Sequence, residues 1–319
     1  MAGKGTRLRP HTYSKAKPLI HVAGKTVLAH IIDRINPLGV DEFIFIIGDM
    51  GDQIKSFIKE NYDFKARFIE QKELLGDGHA VSLSKDYVDD DVIIVFSDTI
   101  FEADLSNIKK TKNDGVMFVH ETQDPKRFGI VTVKNNIVVE VEEKPEHPKS
   151  NLAAIGLYYF KDSKVVFDAL DEIIKSNKSS KGEYRIADAL VIMLENGIKL
   201  EVGKVDAWLD TGKPETLLET NRILLSKYEN NGKTVQGSII IPPVWIGKNS
   251  KMENCIIGPN VSISENVFLE SSIIRNSIID SNAKVKSCIL SDSIIGSNSK
   301  VTDKFRRLNV GDSSEIHYE

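Results

Sequence analysis

Gly3-Lys4-Gly5-Thr6-Arg7-Leu8-Arg9-Pro10, followed a few residues on by Lys17-Pro18-Leu19, joins a glycine-rich turn to a short train of cations. Such a turn lets backbone N–H groups close around phosphate oxygens, and Arg7, Arg9 and Lys17 can offset charge growing on a departing pyrophosphate. The stretch reads as a cradle for a nucleoside triphosphate. One cation against one phosphate charge is worth roughly 4 kcal/mol near a protein surface before desolvation, so two or three of them matter to a rate. Two commoner glycine motifs are excluded. A dinucleotide fingerprint needs a third glycine where Leu8 stands, and Gly24-Lys25-Thr26 would end a P-loop only if Leu19 were glycine.

Outward from this loop the chain alternates buried strands with amphipathic helices. Residues 43–47 and 92–96 are continuous apolar runs bounded by polar residues, as expected of parallel strands covered on both faces. Val27, Leu28, Ile31, Ile32 and Ile35 repeat at helical spacing behind Thr26, a candidate N-cap, and Ile54, Phe57 and Ile58 mark a second helix. This order predicts a doubly wound, mostly parallel α/β sheet, whose ligands sit at the carboxyl ends of the strands, where the Gly3 loop, Gly48 and Asp98 fall. A hairpin is predicted from residues 130–133 and 137–141 around Asn135-Asn136, with helices over 164–174, 186–195 and 215–228. The polar, turn-rich segment 229–233 reads as a domain boundary, giving domains 1–231 and 232–319.

Beyond it the texture changes. Ile246, Met252, Ile257, Ile263, Leu269, Ile274, Ile279, Val285, Leu290, Ile295 and Val301 recur every five or six residues. Neither a helix nor plain alternation has that period, whereas a stacked parallel β-helix does, with one short strand and one turn per unit. The slips to five residues predict imperfect coils.

At 319 residues and 41% apolar content the chain is comfortable for two domains with buried cores, and its net charge is only −4. No basic stripe with interleaved aromatics points to nucleic acid. Two cysteines, Cys255 and Cys288, are too few for a disulfide framework and fit a reducing cytoplasm, and no apolar run approaches a membrane span. The seven histidines show no metal-ligand spacing, and neither cysteine has a histidine nearby in sequence, so nucleophilic catalysis has no visible candidate.

The string A-G-x-G-T-R-L-x-P, then K-P-L and V-x-G-K, resembles the sugar-phosphate nucleotidylyltransferases, which join a nucleoside triphosphate to a sugar 1-phosphate and release pyrophosphate. The resemblance recurs in order at Gln71 with Leu75-Gly76 and His79-Ala80, at Ser97-Asp98, Phe128-Gly129, Glu143-Lys144-Pro145, Asn151-Leu152 and Trp208-Leu209-Asp210-Thr211-Gly212. It covers about residues 1–225 and is most similar to glucose-1-phosphate thymidylyltransferases carrying an extra C-terminal domain. The resemblance implies a nucleotide-diphospho-sugar transferase sheet followed by a left-handed β-helix of hexapeptide repeats, which favours homo-oligomers.

It also implies roles. Arg7 and Lys17 are the catalytic cations, and Ala2, Gly3, Gly5, Thr6, Gln71 and Gly76 line the nucleotide. Gly129, Glu143 and Lys144 take the sugar phosphate. Asp98 and Asp210 match the metal-binding aspartates, and Mg²⁺ suits two carboxylates beside phosphate oxygens. The expected substrates are dTTP and glucose 1-phosphate, with UTP, CTP or ATP as alternatives. Three positions depart from the family pattern: Ser97 replaces a glycine, Asp77 a threonine, and Ala16 breaks P-K-P around Lys17.

Two rival classes fit the residues less well. A catalytically silent regulatory relative would lack Arg7, Lys17, Asp98 or Asp210, and all four are present. An acyltransferase built on a β-helix needs a histidine between coils, yet none occurs from 238 to 303 and His317 lies in the tail. Finally, members of the family enter the glycine loop from a buried strand, whereas here Met1-Ala2 leads straight into Gly3. The native product is therefore expected to carry roughly four to six more residues, rich in Ile and Val, ahead of Met1.

Overall fold

In the computed structural model, which describes residues 1–3, 5–177, 182–227 and 235–303, Thr26 caps the first helix as its position suggests. Ala29 N donates to Thr26 Oγ1 at 3.0 Å, and α1 (Val27–Ile35) buries Val27, Leu28, Ile31, Ile32 and Ile35 on one face. β1 (Phe43–Ile47) pairs in parallel with β2 (Ala66–Glu70), the connection being α2 (Gly51–Asn61). An aromatic stack fixes this pair, with Phe43 on Phe64 at 4.1 Å between ring centroids and Phe45 on Phe68 at 5.3 Å.

The main sheet has six strands. Along the chain come β3 (Val92–Val95), β4 (Thr99–Glu102), β5 (Gly115–Glu121), β6 (Gly129–Lys134), β7 (Ile137–Glu143), β8 (Leu152–Phe160), β9 (Leu200–Lys204) and β10 (Ala207–Asp210). The sheet order is β3-β8-β5-β9-β7-β6, while β10 pairs with β4 alone. Pairing is mixed. β9 runs parallel to β5, β8 runs antiparallel between β3 and β5, and β7 is antiparallel to β6 and β9. The predicted hairpin is β6–β7, and Asn135 and Asn136 both take positive φ in its turn.

β8 is one of the strands that the sequence reading did not anticipate, with β2, β4, β5, β9 and β10, and it organises both faces. Ile155, Leu157 and Tyr159 join a core with Phe101 and Phe118. Tyr158 and Phe160 point the other way, into Phe167, Leu170 and Leu190 of the helices α4 (Ser163–Lys175) and α5 (Ile186–Glu195). The predicted apolar run at 92–96 is a residue shorter as a strand, because the Phe96 ring turns to pack on Gly156, where the β8 register shifts. A last helix, α6 (Pro214–Ser226), follows β10.

The chain divides into two compact units, Met1–Ile20 with Lys25–Leu217, and His21–Gly24 with the chain from Leu218 onward. Lys4, Tyr228, the predicted boundary at 229–233 and His317 lie outside the described residues. No helix among the described residues is long and apolar enough to cross a membrane.

In the second unit, three parallel sheets of four short strands each stack as in a left-handed β-helix. Ile239 pairs with Ile256, 17 residues on, and Ser262 with Ile278, 16 residues on. The five-residue steps in the sequence thus shorten each coil below three hexapeptides. Asn249, Asn254, Asn260, Asn266, Asn276, Asn282 and Asn298 take left-handed backbone at the corners, a conformation asparagine tolerates best after glycine. Their amides stack coil on coil, Asn260 Nδ2 donating to Asn276 Oδ1 at 2.9 Å and Asn282 Nδ2 to Asn298 Oδ1 at 3.2 Å. Ile257, Ile263, Leu269, Ile274, Ile279 and Val285 fill the interior, with Cys255 and Cys288 among them as free thiols.

Candidate active site

Leu8, buried, anchors the glycine turn, while Arg7 on the same single helical turn Thr6–Leu8 stays exposed. Thr12 Oγ1 donates to Gly5 O at 2.8 Å and closes the turn from behind. Ala2 lies against Gly48 at the end of β1, where a Cβ on Gly48 would come within 2.8 Å of Ala2 O. The loop therefore sits at the carboxyl end of a strand, as anticipated. Arg9 is turned aside, its guanidinium lying 4.8 Å from the Tyr13 ring centroid.

Lys17 opens a helical turn, Lys17–Leu19, whose Pro18 and Leu19 are buried anchors. Gln53 of α2 grips the segment before it. Its Oε1 accepts from Ala16 N and its Nε2 donates to Ser14 O, both at 2.9 Å. This explains Ala16, because a proline there would have no N–H for Gln53.

Lys17 Nζ donates to Asp98 Oδ2 at 2.7 Å, with the lysine side chain 14% and the aspartate 38% exposed. Desolvation pushes the Asp98 carboxyl up, but the Lys17 ammonium and, more weakly, Arg7 outweigh it and hold the group below the usual carboxylate range. Asp98 directly precedes β4, and on β10 Asp210 stands opposite Thr99. The ladder thus brings the two aspartates to one end of the ribbon. Gly212 N donates to Asp210 Oδ1 at 2.8 Å, Thr211 Oγ1 donates to Asp98 O at 3.3 Å, and a Cβ on Gly212 would lie 3.3 Å from Arg7 Nη2. Arg7, Lys17, Asp98 and Asp210 form one cluster from three distant parts of the chain.

A second group lies at the end of β2. Gln71 is buried, and its Nε2 donates to Gly76 O at 3.0 Å and lies 3.1 Å from His79 Nδ1. Gly76 has φ +114 and precedes α3 (Asp77–Ser82), and any side chain there would run into the carbonyl of Tyr184. Asp77, the departure from threonine, has a job of its own, since its Oδ1 accepts from Ile186 N at 2.8 Å at the start of α5.

The third group is on β6 and β7. Gly129 stands opposite Glu143, and a Cβ on it would be 3.1 Å from Glu143 Oε2. Glu143 Oε1 meets Arg185 Nη1 at 2.9 Å and Lys144 Nζ at 3.1 Å. Lys144 carries left-handed backbone, φ +49, uncommon for a residue with a side chain. Arg185, 15% exposed, also holds Glu183 at 3.2 Å, and Phe128 packs edge-on against Trp208 at 4.7 Å.

The nucleotidyl transferase family profile matches residues 1–227. The chain belongs to that family. This nucleotidyl transferase is 36% identical over 310 residues to the bifunctional protein GlmU of Methanocaldococcus jannaschii, covering 89% of this chain and 72% of that one. It is 30% identical over 305 residues to the glucose-1-phosphate thymidylyltransferase of Streptomyces griseus, covering 87% and 84%. Among solved structures, it is similar to a Bacillus anthracis protein assigned as a glucose-1-phosphate thymidylyltransferase and solved with sucrose, at TM-score 0.62 and 28% identity, over 73% of this chain and 95% of that one.

Two residues that this nucleotidyl transferase turns onto the candidate site had no signal in the sequence. Gln53 is one polar residue in an amphipathic helix, and Arg185 one arginine ahead of another. Only folding shows that each is turned inward onto a motif residue. A separate cleft of about 510 Å³, lined by Lys110, Lys112, Glu201 and Lys204 among others, contains none of these groups.

Proposed function

We propose that the chain transfers a nucleotidyl group from dTTP to glucose 1-phosphate. A phosphate oxygen of the sugar attacks the α-phosphorus in line, the bond from that phosphorus to the bridging oxygen breaks, and pyrophosphate leaves with the electron pair. The observation that carries this reading is the cluster of Arg7, Lys17, Asp98 and Asp210 at the strand ends, with the Lys17–Asp98 pair at 2.7 Å. Asp98 and Asp210 offer the hard oxygens that Mg²⁺ takes beside phosphates and water, and among the described residues no group of three or more His, Cys, Asp or Glu forms a closed cage. Mg²⁺ held there would neutralise phosphate charge. Arg7 and Lys17 face the triphosphate, Gln71 and Gly76 read the base, Glu143 accepts from sugar hydroxyls, and Lys144 holds the attacking phosphate.

Pyrophosphate release should be measured for dTTP, UTP, CTP, ATP and GTP against several sugar 1-phosphates, with and without Mg²⁺. The highest kcat/KM is expected for dTTP with glucose 1-phosphate and only with the metal. A clear preference for another triphosphate would correct the specificity, and no turnover with any pair would remove the assignment. Gln53→Ala should raise the KM for the triphosphate about fivefold, the worth of roughly one hydrogen bond, and leave that for the sugar phosphate in place. Equal changes in both would argue against its hold on the Lys17 segment.

We also propose a homo-oligomer through the β-helix. Ile239, Ile256, Ile273 and Ile289 stack in register along one sheet, and Ile239, Ile273 and Ile289 are 60%, 42% and 82% exposed. A second copy covers such a stripe. Ile273→Asp with Ile289→Asp should lower the mass seen by light scattering, and an unchanged mass would refute the interface.

A further inference from the structure

We infer that His79 is a positioning residue that fixes which end of the Gln71 amide meets the nucleobase, and so selects bases that carry a ring N–H. The inference rests on the reading of Gln71 as the side chain that meets the base. Gln71 is 5% exposed, and an amide buried to that extent gives up protein partners if it turns end for end. Its backbone is held as well, Gln71 N donating to Ile47 O at 2.9 Å, which extends the parallel pairing of β2 with β1.

A chain of donors and acceptors sets the direction of the amide. Gly76 O is a carbonyl and can only accept, and it takes Ala80 N at 3.1 Å and Gln71 Nε2 at 3.0 Å. The amide therefore turns its nitrogen toward Gly76. Across from that nitrogen, 3.1 Å away, stands His79 Nδ1, so its second hydrogen has a partner there if Nδ1 carries the lone pair and Nε2 of the imidazole the proton. Gly76 alone would let the amide swing about one bond, whereas two bonds from one nitrogen fix its plane. His79 itself sits on a clamped helix. In α3 and the residues before it, Gly78 N donates to Tyr184 O at 2.9 Å, Tyr184 N donates to Leu75 O at 2.7 Å, and Asp77 Oδ1 accepts from Ile186 N at 2.8 Å.

Both amide hydrogens of Gln71 are thus used within the protein. Oε1 is its one side-chain polar atom without a partner among the described residues, and an amide oxygen accepts but does not donate. Uracil and thymine offer it N3–H. Cytosine presents a lone pair at N3, so the same oxygen repels it, and a site built for a donor rejects an analogue that lacks one.

UTP and CTP test this directly, being alike in size and sugar and exchanging donor for acceptor along the base edge. In calorimetric titrations of the full chain with Mg²⁺, UTP should bind at least about tenfold more tightly than CTP. His79→Leu should narrow that gap to about threefold or less, by weakening UTP and not CTP. His79→Asn, whose Oδ1 can stand in the place of Nδ1, should recover at least about half of the gap, and His79→Gln, with its acceptor one bond farther out, should not. In the wild-type chain a long-range ¹H–¹⁵N spectrum should show the His79 proton on Nε2. A gap unchanged in His79→Leu, equal weakening of UTP and CTP, a wild-type preference for CTP, or a proton on Nδ1 of the neutral ring would overturn the inference. If His79→Leu does not fold, the asparagine and glutamine variants decide, and equal gaps in those two would overturn it. Gln71→Leu separates the inference from the reading beneath it. A gap that survives in Gln71→Leu would defeat the reading of Gln71, whereas one that vanishes there but persists in His79→Leu would defeat the role of His79 alone.

Discussion

Asp98→Asn and Asp210→Asn should each lower Mg²⁺-dependent turnover by at least about a thousandfold, roughly 4 kcal/mol of barrier, with the fold retained. The asparagines keep the local hydrogen bonds. Oδ1 of residue 210 still accepts from Gly212 N, and residue 98 still offers an oxygen to Lys17 Nζ. What each substitution removes is a negative charge at the place where the proposed reaction would bring two anions together. Exposed Arg7 and half-buried Lys17 would then face the phosphates without the carboxylates that balance and space them. Near-normal turnover in either variant would refute the metal assignment.

Phe160→Ala should destabilise the first unit by about 3–5 kcal/mol in urea unfolding, the usual cost of removing a large buried ring. Phe160 is fully buried on β8 among Phe167, Leu170 and Leu190, so its removal leaves a cavity that rigid helices on that face cannot close. That is a large share of the 5–15 kcal/mol by which domains are stable. A cost under about 1 kcal/mol would mean that the core of β8 rearranges freely.

Elements whose stabilising information is local were legible before folding. α1 has its cap and apolar stripe in ten consecutive residues, the β6–β7 turn has Asn135-Asn136, and the β-helix repeats its period coil after coil. β8 was not, because Leu152, Ala153, Ala154 and the following residues make an apolar run that names no partner, and its antiparallel place between β3 and β5 is a non-local choice. The site divides along the same line.

The fold brings Arg7, Lys17, Asp98 and Asp210 to one place, but it was the resemblance to a known family, rather than residue types alone, that grouped Gly3, Arg7, Lys17, Asp98 and Asp210 as one proposed device. Distances between them could not be read that way. That Lys17 meets Asp98, that Arg9 turns to Tyr13, and that Arg185 and Gln53 serve motif residues far along the chain depend on which surfaces pack together. A polar side chain has no periodicity of its own to announce its partner. Its direction is decided by the apolar residues around it, Leu8, Pro18 and Leu19 for the cations and the β4–β10 ladder for the aspartates, and their burial is settled only when the whole chain has folded.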